Sequence, residues 1–102
     1  MRTNRLKTVI EINVDESFPQ HGNILKAVKR YILRIGANYI NASGGLGIFI
    51  EVSKLEDIFD LDSDLFEISF QEEIENCIIE FCNENRYDSL WAIENVELNF
   101  KD

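Results

Sequence analysis

Asp60, Asp62 and Asp64 alternate in the densest acidic stretch of the chain, Glu56-Asp57-Ile58-Phe59-Asp60-Leu61-Asp62-Ser63-Asp64-Leu65-Phe66-Glu67. Alternating aspartates open the calcium loop of an EF-hand, so cation ligation is the first chemistry to consider. The rest of that loop does not follow. With Asp60 first, position six is Leu65, where the sharp turn needs a glycine, and position twelve is Gln71, where the ion needs a bidentate glutamate. No metal and no cofactor are therefore expected. A charge run of this kind ordinarily just faces water. Here apolar residues are interleaved with the carboxylates, and like charges this close repel one another, which gives the stretch the makings of a docking surface for a basic partner. On that reading Asp57, Asp60, Asp62, Asp64, Glu67, Glu72 and Glu73 steer and pair with lysines and arginines, and Phe59 or Phe66 supplies a buried anchor.

Other reactive residue types carry less. His21 is the only histidine and lies between Pro19 and Gly22 in a connector. No nucleophile elbow, zinc pattern or phosphate loop surrounds it. Ser43-Gly44-Gly45-Leu46-Gly47 precedes a strand, whereas a phosphate loop opens a helix, so a turn is the better reading. Cys77 and Cys82 are five apart in a predicted helix, point to different sides and read as reduced thiols packed as small hydrophobes. No catalytic residue is assigned, and the chain reads as a binding protein, not an enzyme.

The elements that must position these residues follow from periodicity. Leu6 to Val14 alternates as a strand, with Leu6, Thr8, Ile10, Ile12 and Val14 on one face. Asn23 is expected to cap a helix running to about Ile35, where Ile24, Leu25, Val28, Tyr31, Ile32 and Ile35 recur at the helical period and Gly36 ends it. Ala37 to Ala42 and Leu46 to Val52 read as a hairpin around Ser43-Gly44-Gly45. Ser53 to Glu56 has capping-box spacing and starts a turn through Phe59. Leu65 to Phe70 alternates and reads as a further strand. A second helix is expected from about Gln71 to Asn83 or Asn85, with Ile74, Cys77, Ile78 and Phe81 as its buried stripe. Trp91 to Phe100 closes as a strand.

The order β-α-β-β-(β)-α-β predicts a single α+β domain over residues 1–102. It is a two-layer sandwich with two helices on one face of a mainly antiparallel sheet, one form of which is a ferredoxin-like split βαβ with residues 53–70 inserted. At 102 residues and 45% hydrophobic the chain can bury an ordinary core. No apolar run reaches the roughly 20 residues of a membrane span, and the basic N-terminal stretch lacks a continuous apolar segment after it, so the reading is cytoplasmic with no membrane partner.

Charge narrows the class of partner. Residues 1–50 hold seven basic and three acidic residues, net +4, and residues 51–102 hold three basic and sixteen acidic, net −13, giving the overall −9. Lys26, Lys29 and Arg30 share a face of the first helix, and Arg34 follows. No aromatic interleaving accompanies them, and the net charge repels phosphate, so no nucleic acid is expected. Small size, acidic charge, the acidic 56–84 region and the lack of a catalytic constellation together resemble the small acidic immunity proteins that bacteria make against their own nuclease-type toxins. The resemblance implies a protein-binding inhibitor that neutralises a basic toxin domain by covering its active site or an adjacent surface. Two other readings stay open: a structural or adaptor subunit forming a homo-oligomer through its opposite-charge halves or a sheet edge, and a small enzyme using His21 or a carboxylate pair.

Overall fold

A computed structural model of the chain describes residues 7–101. Arg2, Arg5 and Leu6, the first of the residues read as the opening strand, lie outside them. The described chain runs β1 (Val9–Val14), α1 (His21–Arg34), β2 (Ile40–Asn41), β3 (Gly47–Glu51), a 3-10 turn (Val52–Leu55), α2 (Phe66–Asn85), α3 (Ser89–Glu94) and β4 (Val96–Lys101). The four strands form one antiparallel sheet in the order β2-β3-β1-β4. This is the two-layer α+β sandwich expected from the sequence, in split βαβ order.

Strand alternation and sheet register build the floor of the core. Ile10 sits between Ile50 and Phe100, and Ile12 between Ile48 and Leu98. The two isoleucines of β1 and their β3 partners are fully buried. Each such side chain contributes about 1.5–3 kcal/mol of hydrophobic stabilisation. From above, α1 contributes Ile24, Leu25, Val28, Tyr31 and Ile32, and α2 contributes Phe66, Phe70, Ile74, Ile78 and Cys82. The opposite sheet face mixes Val9, Phe49 and Ile40 with Glu11, Asn13 and Asn99; there Lys101 Nζ donates to Glu11 Oε1 at 2.6 Å, which holds the Glu11 carboxyl below its ordinary range.

Five expectations are corrected. Residues 65–70 are not a strand: Phe66 and Phe70 begin a stripe repeating every fourth residue through Cys82, which keeps one edge of a helix against the sheet, so α2 starts at Phe66 and Ser69 lies inside it. Cys77 and Phe81 are consequently only half-buried, at the flank of the stripe. Asn23 is inside α1, whose cap position is Gln20, and Ser53 caps nothing, since its turn begins at Val52 with no side-chain cap bond. The last strand begins at Val96; Trp91 belongs to α3, where Asp88 Oδ1 accepts from the amides of Leu90 (3.1 Å) and Trp91 (3.2 Å).

The two long helices end in the same motif with different residues. After α1, Gly36 adopts φ +90°, its amide donates to Leu33 O, and the Ala37 amide donates to Ile32 O. After α2, Arg86 takes the left-handed position at φ +60°, and the Tyr87 amide donates to Cys82 O. A Cβ is penalised at that φ and glycine is not. Arg86→Gly should therefore raise stability by about 0.5–1 kcal/mol, read as a higher urea midpoint at unchanged slope. A lower midpoint would show that the arginine side chain holds the α2 end.

No helix of the described residues is long and apolar enough to cross a membrane.

Candidate functional site

The acidic segment is an ordered loop between the 3-10 turn and α2. Leu55 and Leu61 are buried and pin its two limbs, and half-buried Phe59 packs edge-on against Phe66 and Phe70, with ring centroids 5.9 and 5.5 Å apart. Short-range hydrogen bonds set the turns between. The amides of Ile58 and Phe59 donate to Leu55 O, the Asp62 amide donates to Asp60 Oδ1 at 3.0 Å, and the Leu65 amide donates to Ser63 Oγ at 3.0 Å. With the leucines and Phe59 turned in, Asp57, Asp60, Asp62 and Asp64 are turned out.

The continuation into α2 sorts the remaining candidates. Glu67, Glu72 and Glu73 are exposed. Helical spacing sets Glu72 beside Ile68 and turns Glu73 away from them, towards α1. There its charge adds to burial, the larger cause, in pushing the Tyr31 phenol up. Phe66 leaves the candidate set: it is 2% exposed, ringed by Phe59, Phe70 and Phe100, and holds the fold. The apolar residues offered to solvent beside the carboxylates are instead Ile58 (39% exposed), Leu65 (61%) and Ile68 (59%). The signal for Ile68 was in the sequence, since it falls off the every-fourth-residue stripe of α2. Leu65 and Ile58 carried no such mark.

The site is therefore a run of outward carboxylates interleaved with exposed aliphatic side chains on a pinned loop and helix start. Among the described residues, no three His, Cys, Asp or Glu side chains converge to hold a metal ion. Chemically the surface can attract cations at long range and bury apolar area at contact.

The other reactive groups are engaged locally. His21 heads α1 with Nδ1 2.8 Å from the carbonyl oxygen of Phe18, to which that nitrogen's proton is assigned. Cys77 Sγ donates to Ala27 O at 3.5 Å, Cys82 is fully buried, and burial pushes both thiols up, away from the reactive thiolate.

The basic residues of α1 do not form a separate pole. Lys29 Nζ lies over the Tyr39 ring (5.6 Å) and the Arg34 guanidinium over the Tyr31 ring (5.5 Å). Arg30 and Arg34 line one wall of a groove whose other wall carries Glu80 and Glu84 of α2. The charge asymmetry between the sequence halves is thus mixed where α1 and α2 pack side by side. Every charged residue of the 56–72 segment itself is acidic. Comparison with known protein families, with curated proteins and with solved structures finds no match for this chain.

Proposed function

We propose that this protein is an inhibitor of the immunity type, which binds a basic, nuclease-type toxin domain through the acidic surface of residues 57–72 and silences it. The observation that carries the reading is the interleaving of outward Asp57, Asp60, Asp62, Asp64, Glu67 and Glu72 with exposed Ile58, Leu65 and Ile68. Carboxylates steer a basic partner and set its register, and apolar side chains among them supply the water-excluding contact that charge alone does not. Glu73, turned towards α1, falls at the margin.

The test is capture by the tagged protein at low salt, elution by raised salt, and addition of the chain back to the eluted partner. The expected result is one basic protein in one-to-one yield whose nucleic-acid cleavage stops when the chain is restored. Recovery of the chain alone, or of a partner whose activity is unaffected, overturns the proposal.

A further inference from the structure

The two edges of the sheet differ. β2 presents two residues, whereas β4 presents six in unbroken register with β1, without a proline or a bulge. Such an edge is ordinarily blunted or covered, because its unpaired amides and carbonyls accept another strand. Its phase can be read from neighbouring hydrogen bonds. The Asp15 amide donates to Asn95 O, while Val14 and Val52 amides bond across β1 and β3. Odd-numbered β1 residues therefore bond β4 and even-numbered ones bond β3. In β4, Glu97, Asn99 and Lys101 turn their backbone groups to β1, and Val96, Leu98 and Phe100 turn theirs to the free edge. Among the described residues no strand pairs with that edge.

Beside the edge lies a cleft of about 200 Å³ between α2 and β4. Half-buried Ile93 of α3 and Val96 and Leu98 of β4 make its accessible apolar lining, over the buried Ile74 and Ile78 of α2, and Glu75 brings a carboxylate to it; Glu97 lies on the other face of the same edge, where its Oε1 accepts from Asn99 Nδ2 at 3.0 Å. A strand added to β4 would point alternate side chains towards this cleft.

We propose that the β4 edge and this cleft form a second binding site, which takes an extended segment of another protein carrying one large apolar residue between lysines or arginines. The backbone edge supplies affinity, the cleft takes the apolar side chain, and Glu75 and Glu97 select basic flanks. A second copy of this chain fits less well. Pairing β4 to β4 about a two-fold axis would bring the two Glu75-bearing flanks of α2 together, on chains of net charge −9 each. The site is separate from the acidic loop and does not depend on the function proposed above.

The probe is the peptide acetyl-Lys-Thr-Lys-Leu-Lys-Thr-Lys-amide, titrated into the full chain and followed by its amide and methyl resonances. The expected result is shifts at the Val96 and Leu98 amides and the Ile93 and Leu98 methyls, with slowed exchange of those two amides. An otherwise identical peptide N-methylated at alternate backbone nitrogens on the pairing side should bind about tenfold weaker or less, since it keeps charge and side chains and loses only edge hydrogen bonds. Glu75→Lys with Glu97→Lys should abolish the β4 shifts, and Asp57→Lys with Glu67→Lys should leave them. Shifts confined to residues 56–67, equal binding by the N-methylated peptide, or the same β4 shifts on concentrating the protein without peptide would each overturn the proposal, the last by giving the edge to a second copy.

Discussion

Phe66→Ala should lower the stability of the fold by about 3–5 kcal/mol, while Ile68→Ala, two residues along, should change it by no more than about 0.5 kcal/mol. Phe66 is 2% exposed and lies within 6.2 Å, centroid to centroid, of the rings of Phe59, Phe70 and Phe100. Truncation leaves a cavity where those rings meet and removes edge-on contacts of about 0.5–1.5 kcal/mol each. Ile68 is 59% exposed and gives up little. At about 4–8 °C per kcal/mol for a domain of this size, melting of the Phe66 variant should fall by about 12 °C or more. The pair also separates two conformations of one segment. In a strand, Phe66, Ile68 and Phe70 share a face and the two truncations would be comparably costly; in a helix, Phe66 and Phe70 stack and Ile68 faces away. Comparable losses at the two positions would refute the helical assignment of 66–70.

That segment also marks the limit of what the sequence makes legible. α1 is readable because Ile24, Val28, Tyr31 and Ile32 fit only a helical period over its length, and Gly36 stands where a left-handed residue must follow. β1 is readable because Ile10, Ile12 and Val14 alternate with Glu11 and Asn13, and β3 because Ile48-Phe49-Ile50 is a short apolar run that follows the Ser43-Gly44-Gly45 turn. Six residues such as 65–70 satisfy both periods at once: apolar residues at every second position include those at every fourth. Only the continuation through Ile74, Ile78 and Cys82 breaks the tie. At the C-terminal end Asp88 marked a short helix before β4, masked by the apolar Trp91-Ala92-Ile93 run that also suits a strand.

The candidate site divides along the same line. Carboxylates are legible because a buried, unpaired charge is too costly to keep, so their exposure could be anticipated from residue type alone. Which apolar residues accompany them is a property of helix phase and loop anchoring. Phe59 turns in because Leu55 and Leu61 fix the loop on either side, and Ile58 is left outside. The free edge of β4 is less legible still. It depends on which strand ends up at the margin of the sheet and on hydrogen-bond phase, neither of which any short stretch of sequence encodes.

Reversal of charge at Asp57 and Glu67 together should slow association with the basic partner by about 10–100-fold at low salt, with a smaller effect on dissociation. Both carboxylates are exposed. Asp60 is the poorer choice although it sits at the centre of the cluster, because its Oδ1 accepts the Asp62 amide and its loss would disturb the turn along with the charge. Glu67 lies in the first turn of α2, so its reversal also removes about 0.3–1 kcal/mol of helix-dipole stabilisation. The Asp57→Lys, Glu67→Lys variant should still melt cooperatively, and a rate change far beyond that loss belongs to steering. Salt supplies the internal check. The screening length falls from about 10 Å at 0.1 M to about 3 Å at 1 M, so the rates of wild type and variant should converge as salt rises. Ile68→Ala should act on the other half of the interaction, raising the dissociation rate with the association rate and its salt dependence unchanged, because an apolar contact forms only after encounter. Equal association rates for wild type and the double reversal at low salt would remove the 57–67 surface from the interface, whatever the stability of the two proteins.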